Sequence, residues 1–234
     1  MNRTKLALWV LDRLRAQYGA PDIGSSAPLE TLIRTILSQN TNDVNRDRAY
    51  TSLMRRFGTL ENVRRAPEAE IAAAIRSGGL YTQKAERIRK ILDRITTERG
   101  GNLDLSFLAN LEVEEAMAWL LASPGIGRKT AGIVALFSFG KPYFPVDTHI
   151  RRVFSRLGII GPKDDPHVTM NTLLPRDPKV MASLHLLTIR LGRETCRPRK
   201  PACLSCPLHE HCGWFRENRL DNRPDWRKTE EGEP

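Results

Sequence analysis

Apolar residues recur at helical spacing along nearly the whole chain. An early segment shows this clearly, with apolar side chains three and four residues apart at Leu29, Leu32, Ile33, Ile36 and Leu37. This spacing predicts an amphipathic helix with one face on a core. The segments 129–139, 147–157 and about 177–191 follow the same pattern, and no convincing alternation of apolar and polar residues indicates a strand. The chain is therefore predicted to be all-α, with short polar or glycine-containing connections.

Length and composition are typical of a globular protein with a sizeable core. The chain has 234 residues, 40% of them hydrophobic, and lacks the run of about 18 apolar residues that a membrane span needs. Near the N-terminus, the apolar stretch Leu6–Leu11 is too short for a signal peptide, and its spacing indicates an amphipathic helix. We therefore expect a cytoplasmic protein.

The net charge gives a first indication of the partner. It is +10, and arginine supplies most of the 37 basic residues. The planar guanidinium group suits phosphate, so a polyanion is the favoured partner. An arginine excess can equally reflect the base composition of a genome, so charge by itself favours nucleic acid and establishes nothing further.

A glycine-containing turn between two apolar helices is the first candidate binding site. One predicted helix ends before Pro124-Gly125-Ile126-Gly127, and the next starts near Arg128. The first N–H groups of a helix lack intrahelical partners and favour anions. An ordinary helix–turn–helix corner would look the same, and for the turn alone the two interpretations are equally good. Arg128 and Lys129, which follow directly, favour phosphate binding.

Lys129 and Asp147 are candidate catalytic residues, although each has a simpler interpretation. A helix N-terminus and the neighbouring Arg128 both disfavour the ammonium form of Lys129, and a neutral amine can act as a nucleophile. A solvated lysine that binds phosphate is the simpler alternative. Asp147, in Pro145-Val-Asp-Thr-His149, occupies an N-cap position, and capping is the commonest reason for an aspartate there. Nothing in the pattern marks His149 as a base, so it is interpreted as structural or as a phosphate contact.

All four cysteines lie between positions 196 and 212, at Cys196, Cys203, Cys206 and Cys212. A disulfide scaffold would spread them along the chain, whereas this grouping indicates a metal site in a reducing compartment. Zinc folds usually contain two Cys-x2-Cys pairs, and this segment contains one, with His209 and His211 as possible further ligands. The spacing therefore favours an iron–sulfur cluster over zinc only modestly.

Several motifs together resemble the endonuclease III family of helix-hairpin-helix DNA glycosylases. They are LSQNTND (37–43), GLYTQKAERI (79–88), PGIGRKTAG (124–132), FPVDTHIRRV (144–153), LGRETC (191–196) and the cysteine spacing. The resemblance covers nearly the whole chain up to Cys212. It implies a [4Fe–4S] cluster on the four cysteines.

The resemblance also implies an activity. Members of the family remove oxidised pyrimidines from double-stranded DNA and then nick the strand by β-elimination, so the chain is expected to be a bifunctional glycosylase and abasic-site lyase of base excision repair. Lys129 would be the nucleophile that forms a Schiff base, and Asp147 its carboxylate partner. The protein is expected to be a monomer that associates with the nucleoid.

Two helical domains follow from the same resemblance. A six-helix barrel would span 24–132, with the helix-hairpin-helix motif at about 112–132. Residues 1–23 and 133–212 would form the iron–sulfur domain, with DNA in the groove between the two. The polar segment 213–234 is predicted to be a C-terminal surface tail, although Trp214 and Phe215 can pack beside the cysteines.

The DNA contacts are assigned by motif. Leu80 matches the apolar wedge that enters the base stack when a base is flipped out, where a core leucine would otherwise be preferred. Asn40 falls where the family commonly has a glutamine that fills the vacated space, and Gln39 is its rival for this role. The remaining contacts would come from the hairpin, from the start of the next motif and from the basic loop, at Gly125, Gly127, Arg128, Thr130, His149, Arg197, Arg199 and Lys200.

Two other functions remain open on the sequence. A glycosylase of the same superfamily could prefer mismatched thymine or uracil, or act mainly on abasic sites. A non-catalytic DNA-binding module could use the hairpin as a phosphate grip. Lys129 favours the lyase branch, because adenine-mismatch relatives lack this lysine and carry a glutamate where this chain has Thr35, and thymine-mismatch relatives commonly carry a tyrosine in place of the lysine.

Overall fold

A computed structural model describes residues 1–24 and 26–219, and within these ranges the chain is helical without strands. The prediction of an all-α fold is therefore confirmed. The helices are α1 (Arg3–Tyr18), α2 (Pro28–Leu37), α3 (Asp43–Phe57), α4 (Leu60–Arg65), α5 (Glu68–Ala74), α6 (Tyr81–Glu98), α7 (Val113–Leu121), α8 (Arg128–Phe139), α9 (Thr148–Arg156), α10 (Pro166–Leu173), α11 (Pro178–Glu194) and α12 (Gly213–Arg219). Short 3₁₀ turns lie at Arg76–Gly78, Ser106–Asn110, Cys203–Ser205 and His209–His211.

Side-chain caps explain where several helices begin. The side chains of Asn2, Asn42, Thr59 and Asp165 each accept a hydrogen bond from a backbone N–H three residues further on. This satisfies one of the N–H groups that the first turn of a helix leaves without a partner.

Among the helices of the described ranges, none combines the length and the apolar character that a membrane span needs.

The chain divides into two compact units. The first, called the hairpin unit, consists of residues 22–145 and 176–182. The second, called the cysteine unit, consists of residues 1–21 and 146–175 and continues from residue 183. Residues 133–145, which the sequence-based division gave to the iron–sulfur domain, lie in the hairpin unit. α8 is therefore contained in one unit over its whole length.

The hairpin unit has a continuous apolar core. Within it α2 packs against α8, and α5 packs against α6. The stripe predicted for α2 is buried, since Leu32, Ile33, Ile36 and Leu37 have no exposed surface. This burial supplies most of the stability of such helices, because short helices are marginal in water by themselves.

The cysteine unit is built from α1, α9, α10, α12 and most of α11. Val10 and Leu14 of α1 are fully buried, as the amphipathic pattern predicts. Residues 213–219 of the predicted surface tail form helix α12. The rest of that tail, 220–234, lies outside the described residues.

Candidate nucleic-acid and catalytic site

The glycine turn connects α7 to α8 and leaves the start of α8 uncapped. Gly125 has φ +80°, a conformation that side chains with a Cβ rarely adopt. A Cβ at this position would also lie 2.6 Å from Cδ of Arg87, whose side chain occupies the space. Gly127 is the N-cap residue of α8 and provides no side-chain cap. The first N–H groups of α8 are therefore placed where a phosphate could accept from them.

The three residues after Gly127 differ in exposure. Arg128 is exposed and Lys129 is half-buried, both in the first turn of α8. The side chain of Thr130 is buried, with 3% of the residue exposed. A phosphate contact from Thr130 would therefore come from its backbone N–H, whereas Arg128 and Lys129 can offer their side chains.

Asp147 caps α9 in the cysteine unit, as its position predicts. Its Oδ1 accepts a hydrogen bond from the backbone N of Ile150 at 2.8 Å. The residue is half-buried, and Oδ2 remains for another partner. A cap and a catalytic carboxylate are thus compatible roles for one side chain, with one oxygen for each.

His149 is held within the cysteine unit. Its Nδ1 lies 3.1 Å from Nη2 of Arg152, which also donates to the carbonyl oxygen of Gly192 at 2.8 Å. Nε of Arg152 donates to the carbonyl oxygen of Cys196 at 2.9 Å. These contacts support the structural interpretation of His149, and its phosphate contact stays a prediction.

Backbone strain coincides with the predicted DNA contacts. Among the described residues, the non-glycine residues with positive φ are Asn40 (52°), Leu80 (47°) and Lys200 (49°). The motifs had assigned all three to DNA. Such conformations cost about 1–3 kcal/mol each and persist where the surroundings impose them, often at functional sites. The sequence pattern does not show this strain, because none of the three residues is a glycine.

Leu80 and the two candidate amides differ in their surroundings. Leu80 is 46% exposed at the N-terminus of α6, which excludes the core interpretation of this leucine. The side chain of Asn40 is exposed and has no hydrogen-bond partner among the described residues. Gln39 is occupied, since its Oε1 accepts from Nη1 of Arg87 at 2.7 Å and its Nε2 donates to the carbonyl oxygen of Gly125 at 3.3 Å. The geometry therefore favours Asn40 over Gln39 as the amide that is presented to a ligand.

The four cysteines surround one cavity, as their spacing predicts. The cavity measures about 290 Å³, including the part open to solvent, and all four cysteines carry free thiols. Within the described residues, no three histidine, cysteine, aspartate or glutamate side chains are grouped so as to hold a metal ion. Ligands of a single ion converge on one point, whereas each ligand of a cube binds a different iron atom. Four thiols around one cavity are a donor set that fits an iron–sulfur cube.

The two histidines of this segment differ in position. His209 lines the cavity, and its Nδ1 lies 2.7 Å from the carbonyl oxygen of Cys206. His211 packs edge-on against Trp9, with 4.7 Å between the ring centroids. Burial raises the pKa of the Cys206 thiol to about 11, and the three other cysteines add to the rise. Positive charge bound in the cavity would favour the ionised form of the Cys206 thiol.

Arg156 is a contact that the sequence did not indicate. Its Nη1 donates to Sγ of Cys196 at 3.2 Å and to the carbonyl oxygen of Arg197 at 2.8 Å. Its Nη2 donates to the carbonyl oxygen of Pro198 at 3.1 Å, and its guanidinium carbon lies 4.5 Å from the ring centroid of Trp214. One side chain from the end of α9 thus fixes the start of the cysteine loop.

The basic loop between the first two cysteines is exposed. Arg197, Arg199 and Lys200 are all solvent-accessible, and Nε of Arg197 donates to the carbonyl oxygen of Glu194 at 3.2 Å. Both ends of this loop are cysteines of the cavity. Its three cations are therefore presented from an anchored segment, which suits contact with a phosphate backbone.

Comparison with known proteins defines the class of the molecule. A family model described as "HhH-GPD superfamily base excision DNA repair protein" matches residues 33–176. This match includes the glycine turn, Lys129 and Asp147. The chain belongs to the HhH-GPD superfamily of base excision DNA repair proteins.

Individual relatives identify the family within this superfamily. Endonuclease III of Thermotoga maritima is 35% identical over 191 residues, which cover 81% of this chain and 84% of the relative. The solved structure of a non-covalent endonuclease III–DNA complex matches with a TM-score of 0.79 and 28% identity, covering 94% of this chain and all of the other. A trapped endonuclease III–DNA covalent intermediate matches with a TM-score of 0.77 and 29% identity, with the same coverage. Within the superfamily, these matches place the chain in the endonuclease III family of bifunctional DNA glycosylases and abasic-site lyases, which confirms the prediction of family and enzyme class.

Proposed function

We propose that this protein removes oxidised pyrimidines from double-stranded DNA and cleaves the strand through a Schiff base on Lys129. The position of Lys129 is the observation that supports this proposal. Lys129 is half-buried in the first turn of α8, whose N-terminus has no side-chain cap and can bind a phosphate. The trapped covalent complex of a relative supports a covalent step. The lesion class rests on the family resemblance.

The chemistry can be assigned to the residues step by step. The neutral amine of Lys129 attacks C1′ of the deoxyribose, the glycosidic bond breaks, and the base leaves with a proton. The C1′–O4′ bond then breaks as the nitrogen of Lys129 loses a proton and O4′ gains one, which opens the sugar and forms the Schiff base. The carboxylate of Asp147 stabilises the positive charge and assists these proton transfers. The Schiff base acidifies the 2′ hydrogen, and its loss expels the 3′ phosphate. Water then hydrolyses the Schiff base and releases Lys129.

DNA binding is proposed to use three kinds of contact. The glycine turn and Arg128 would hold phosphate, as would Arg197, Arg199 and Lys200 of the basic loop. Leu80 would enter the base stack while the damaged base is flipped out, and Asn40 would occupy the space that it leaves. A monomer associated with the nucleoid is consistent with this activity.

The four cysteines are proposed to hold a [4Fe–4S] cluster. When bound, the cluster supplies the positive charge that lets four neighbouring thiolates coexist. The work of the chain is then structural: Arg156 fixes the start of the loop, and the loop presents its cations. A visible absorbance band at about 400 nm, with iron and sulfide in the purified protein, is the expected result. Zinc without iron would overturn this assignment.

Borohydride trapping tests the lyase mechanism directly. The protein is incubated with duplexes that contain thymine glycol, an abasic site or a T:G mismatch, and borohydride is then added. We expect a covalent adduct with thymine glycol and with the abasic site, lost in Lys129→Ala. Lys163→Ala is the matched control, because Lys163 is an exposed lysine in a turn of the cysteine unit.

Each outcome of this experiment separates the candidate functions. An adduct only with the mismatch, or only with the abasic site, would contradict the proposed lesion preference. It would still support the Schiff-base mechanism. If no duplex yields an adduct, the enzyme proposal fails and a DNA-binding module is left. Binding that weakens steeply with salt would then measure the phosphate contacts alone.

A further inference from the structure

Three segments of the hairpin unit lie beside the start of α6. The proposed function gives each of them a contact with DNA. They are the connection 38–42, which contains Asn40, the segment 79–80, which contains Leu80, and the glycine turn 123–127. Two of them include a non-glycine residue in the left-handed region. Each such residue needs a surrounding structure that imposes the conformation. The first two turns of α6 provide two cations, Lys84 and Arg87, that contact these segments or the residues directly before them.

Lys84 joins the first two of these segments. Its Nζ donates to the carbonyl oxygen of Leu37, the last residue of α2, and to that of Gly78, both at 2.7 Å. Its backbone N donates to the carbonyl oxygen of Leu80 at 3.0 Å. The side chain is almost fully buried, with 1% of the residue exposed. One ammonium group therefore ties the residue before the Asn40 connection to the residue before the Leu80 segment.

Arg87, one turn further along α6, joins the first segment to the third. Its Nη1 donates to Oε1 of Gln39, and Gln39 in turn donates to the carbonyl oxygen of Gly125. Its methylene chain also fills the space beside Gly125, where an added Cβ would lie 2.6 Å from Cδ. Gly125 can hold φ +80° because it lacks a Cβ, and Arg87 packs against it for the same reason.

A buried ammonium group at position 84 is energetically unfavourable if the side chain serves packing alone. Burial of an ammonium group carries a desolvation cost, and an apolar side chain of similar size would avoid it. Lys84 lies in the buried stripe of α6 with Ala85, Ile88 and Ile91, where an apolar residue would be the ordinary choice. What the ammonium adds is a fixed distance between two carbonyl groups on different segments.

We propose that Lys84 and Arg87 are positioning residues that hold the Asn40 connection, the Leu80 segment and the glycine turn as one rigid surface. The wedge, the amide and the phosphate grip are then presented to the duplex together. Arg87 has a second effect, because it engages Gln39 and leaves Asn40 as the amide that is free to enter the stack. The inference deepens the proposed function and rests on it for the roles of the three segments.

Two variants and two matched controls test this role. Lys84→Met removes both side-chain hydrogen bonds and keeps the length of an unbranched chain, and Arg87→Ala releases Gln39. The controls are Lys90→Met and Arg89→Ala, which change the same residue types on α6. Lys90 is exposed and pairs with Glu86 on its own helix at 2.6 Å. Arg89 is part-exposed and faces Glu68 and Asp93 at 3.7 and 3.8 Å.

The first readout is insertion into the stack, which needs no chemistry at Lys129. A duplex carries 2-aminopurine opposite a non-cleavable abasic analogue, and the fluorescence change on binding reports insertion. The second readout is borohydride trapping on a true abasic site, in a duplex and in a single strand. A single strand has no stack to open, so the wedge does not matter there. A defect in positioning the wedge and the amide therefore affects the duplex more than the single strand, whereas a general structural defect affects both equally.

We expect Lys84→Met and Arg87→Ala to reduce the fluorescence change and to slow duplex trapping by about ten-fold, equivalent to about 1.4 kcal/mol. Single-strand trapping should fall less than duplex trapping in both variants, and both controls should match the wild type. Wild-type insertion in both variants, or an equal loss on single and double strands, would overturn the proposal. If Lys84→Met does not fold, Arg87→Ala and its control decide the outcome. If the wild type inserts but yields no adduct, the lyase mechanism fails while the positioning test remains valid.

Discussion

Lys84 also makes a quantitative prediction about stability and pH. Burial and, to a smaller extent, the neighbouring Arg87 together lower the pKa of this lysine from 10.5 to about 8. Between these two values the unfolded chain binds more protons than the folded chain, so the free energy of unfolding rises with pH. For one group with these two pKa values, the free energy of unfolding rises by about 2 kcal/mol between about pH 7 and about pH 9.5. The variant Lys84→Met lacks the group, so wild type should gain that amount over the variant across this interval.

Urea denaturation followed by circular dichroism at the two pH values measures this difference. Lys90→Met serves as the control. The pair with Glu86 raises the pKa of Lys90, so its contribution stays constant below the unfolded value of 10.5. The gap between wild type and control should therefore not change over the interval. Parallel profiles for wild type and Lys84→Met would refute the reasoning, and would mean that the two carbonyl acceptors offset the cost of burying the charge.

Three further substitutions test individual contacts. Asp147→Asn should leave the unfolding midpoint nearly unchanged, because asparagine caps helices as well as aspartate does, and should slow strand cleavage by about 100-fold or more; an active variant would remove Asp147 from the mechanism. Gly192→Ala places a Cβ 2.8 Å from Cβ of His149, so denaturation should show a loss of about 1–3 kcal/mol, and an unchanged midpoint would contradict this packing. Arg156→Leu removes the donor to Sγ of Cys196, so a chelator should bleach the visible absorbance faster than in wild type or in the exposed control Arg151→Leu, and equal decay would count against its role.

The sequence predicted the helices well, because each buries a regular apolar stripe. The segments 129–139 and 147–157 correspond to α8 (Arg128–Phe139) and α9 (Thr148–Arg156) within one residue at each end. That the four cysteines lie together was also expected from their spacing, and they line one cavity, since residues of one site can lie close along the chain. The C-terminal segment was harder, because a short polar helix such as α12 has no long periodic stripe.

Residues that act over long sequence distances could not be predicted in this way. Lys84 contacts Leu37, and Arg156 contacts Cys196, across 47 and 40 positions respectively. Arg156 lies outside the motifs, and Lys84 lies inside GLYTQKAERI (79–88) without a role that the motif assigned to it. A lysine inside the apolar stripe of α6 is nevertheless a signal in the sequence. The strain at Asn40 and Leu80 is likewise invisible in the residue types, since it arises from the contacts that hold them.

The packing of Arg87 against Gly125 has a consequence for how such a sequence can change over time. The two positions share one volume, because the methylene groups of Arg87 stand where a Cβ of residue 125 would be. A larger residue at 125 would need a shorter side chain at 87 in addition to a strained φ of +80°, and that exchange would also release Gln39. The pair is therefore expected to vary together among relatives, and position 39 should vary with it.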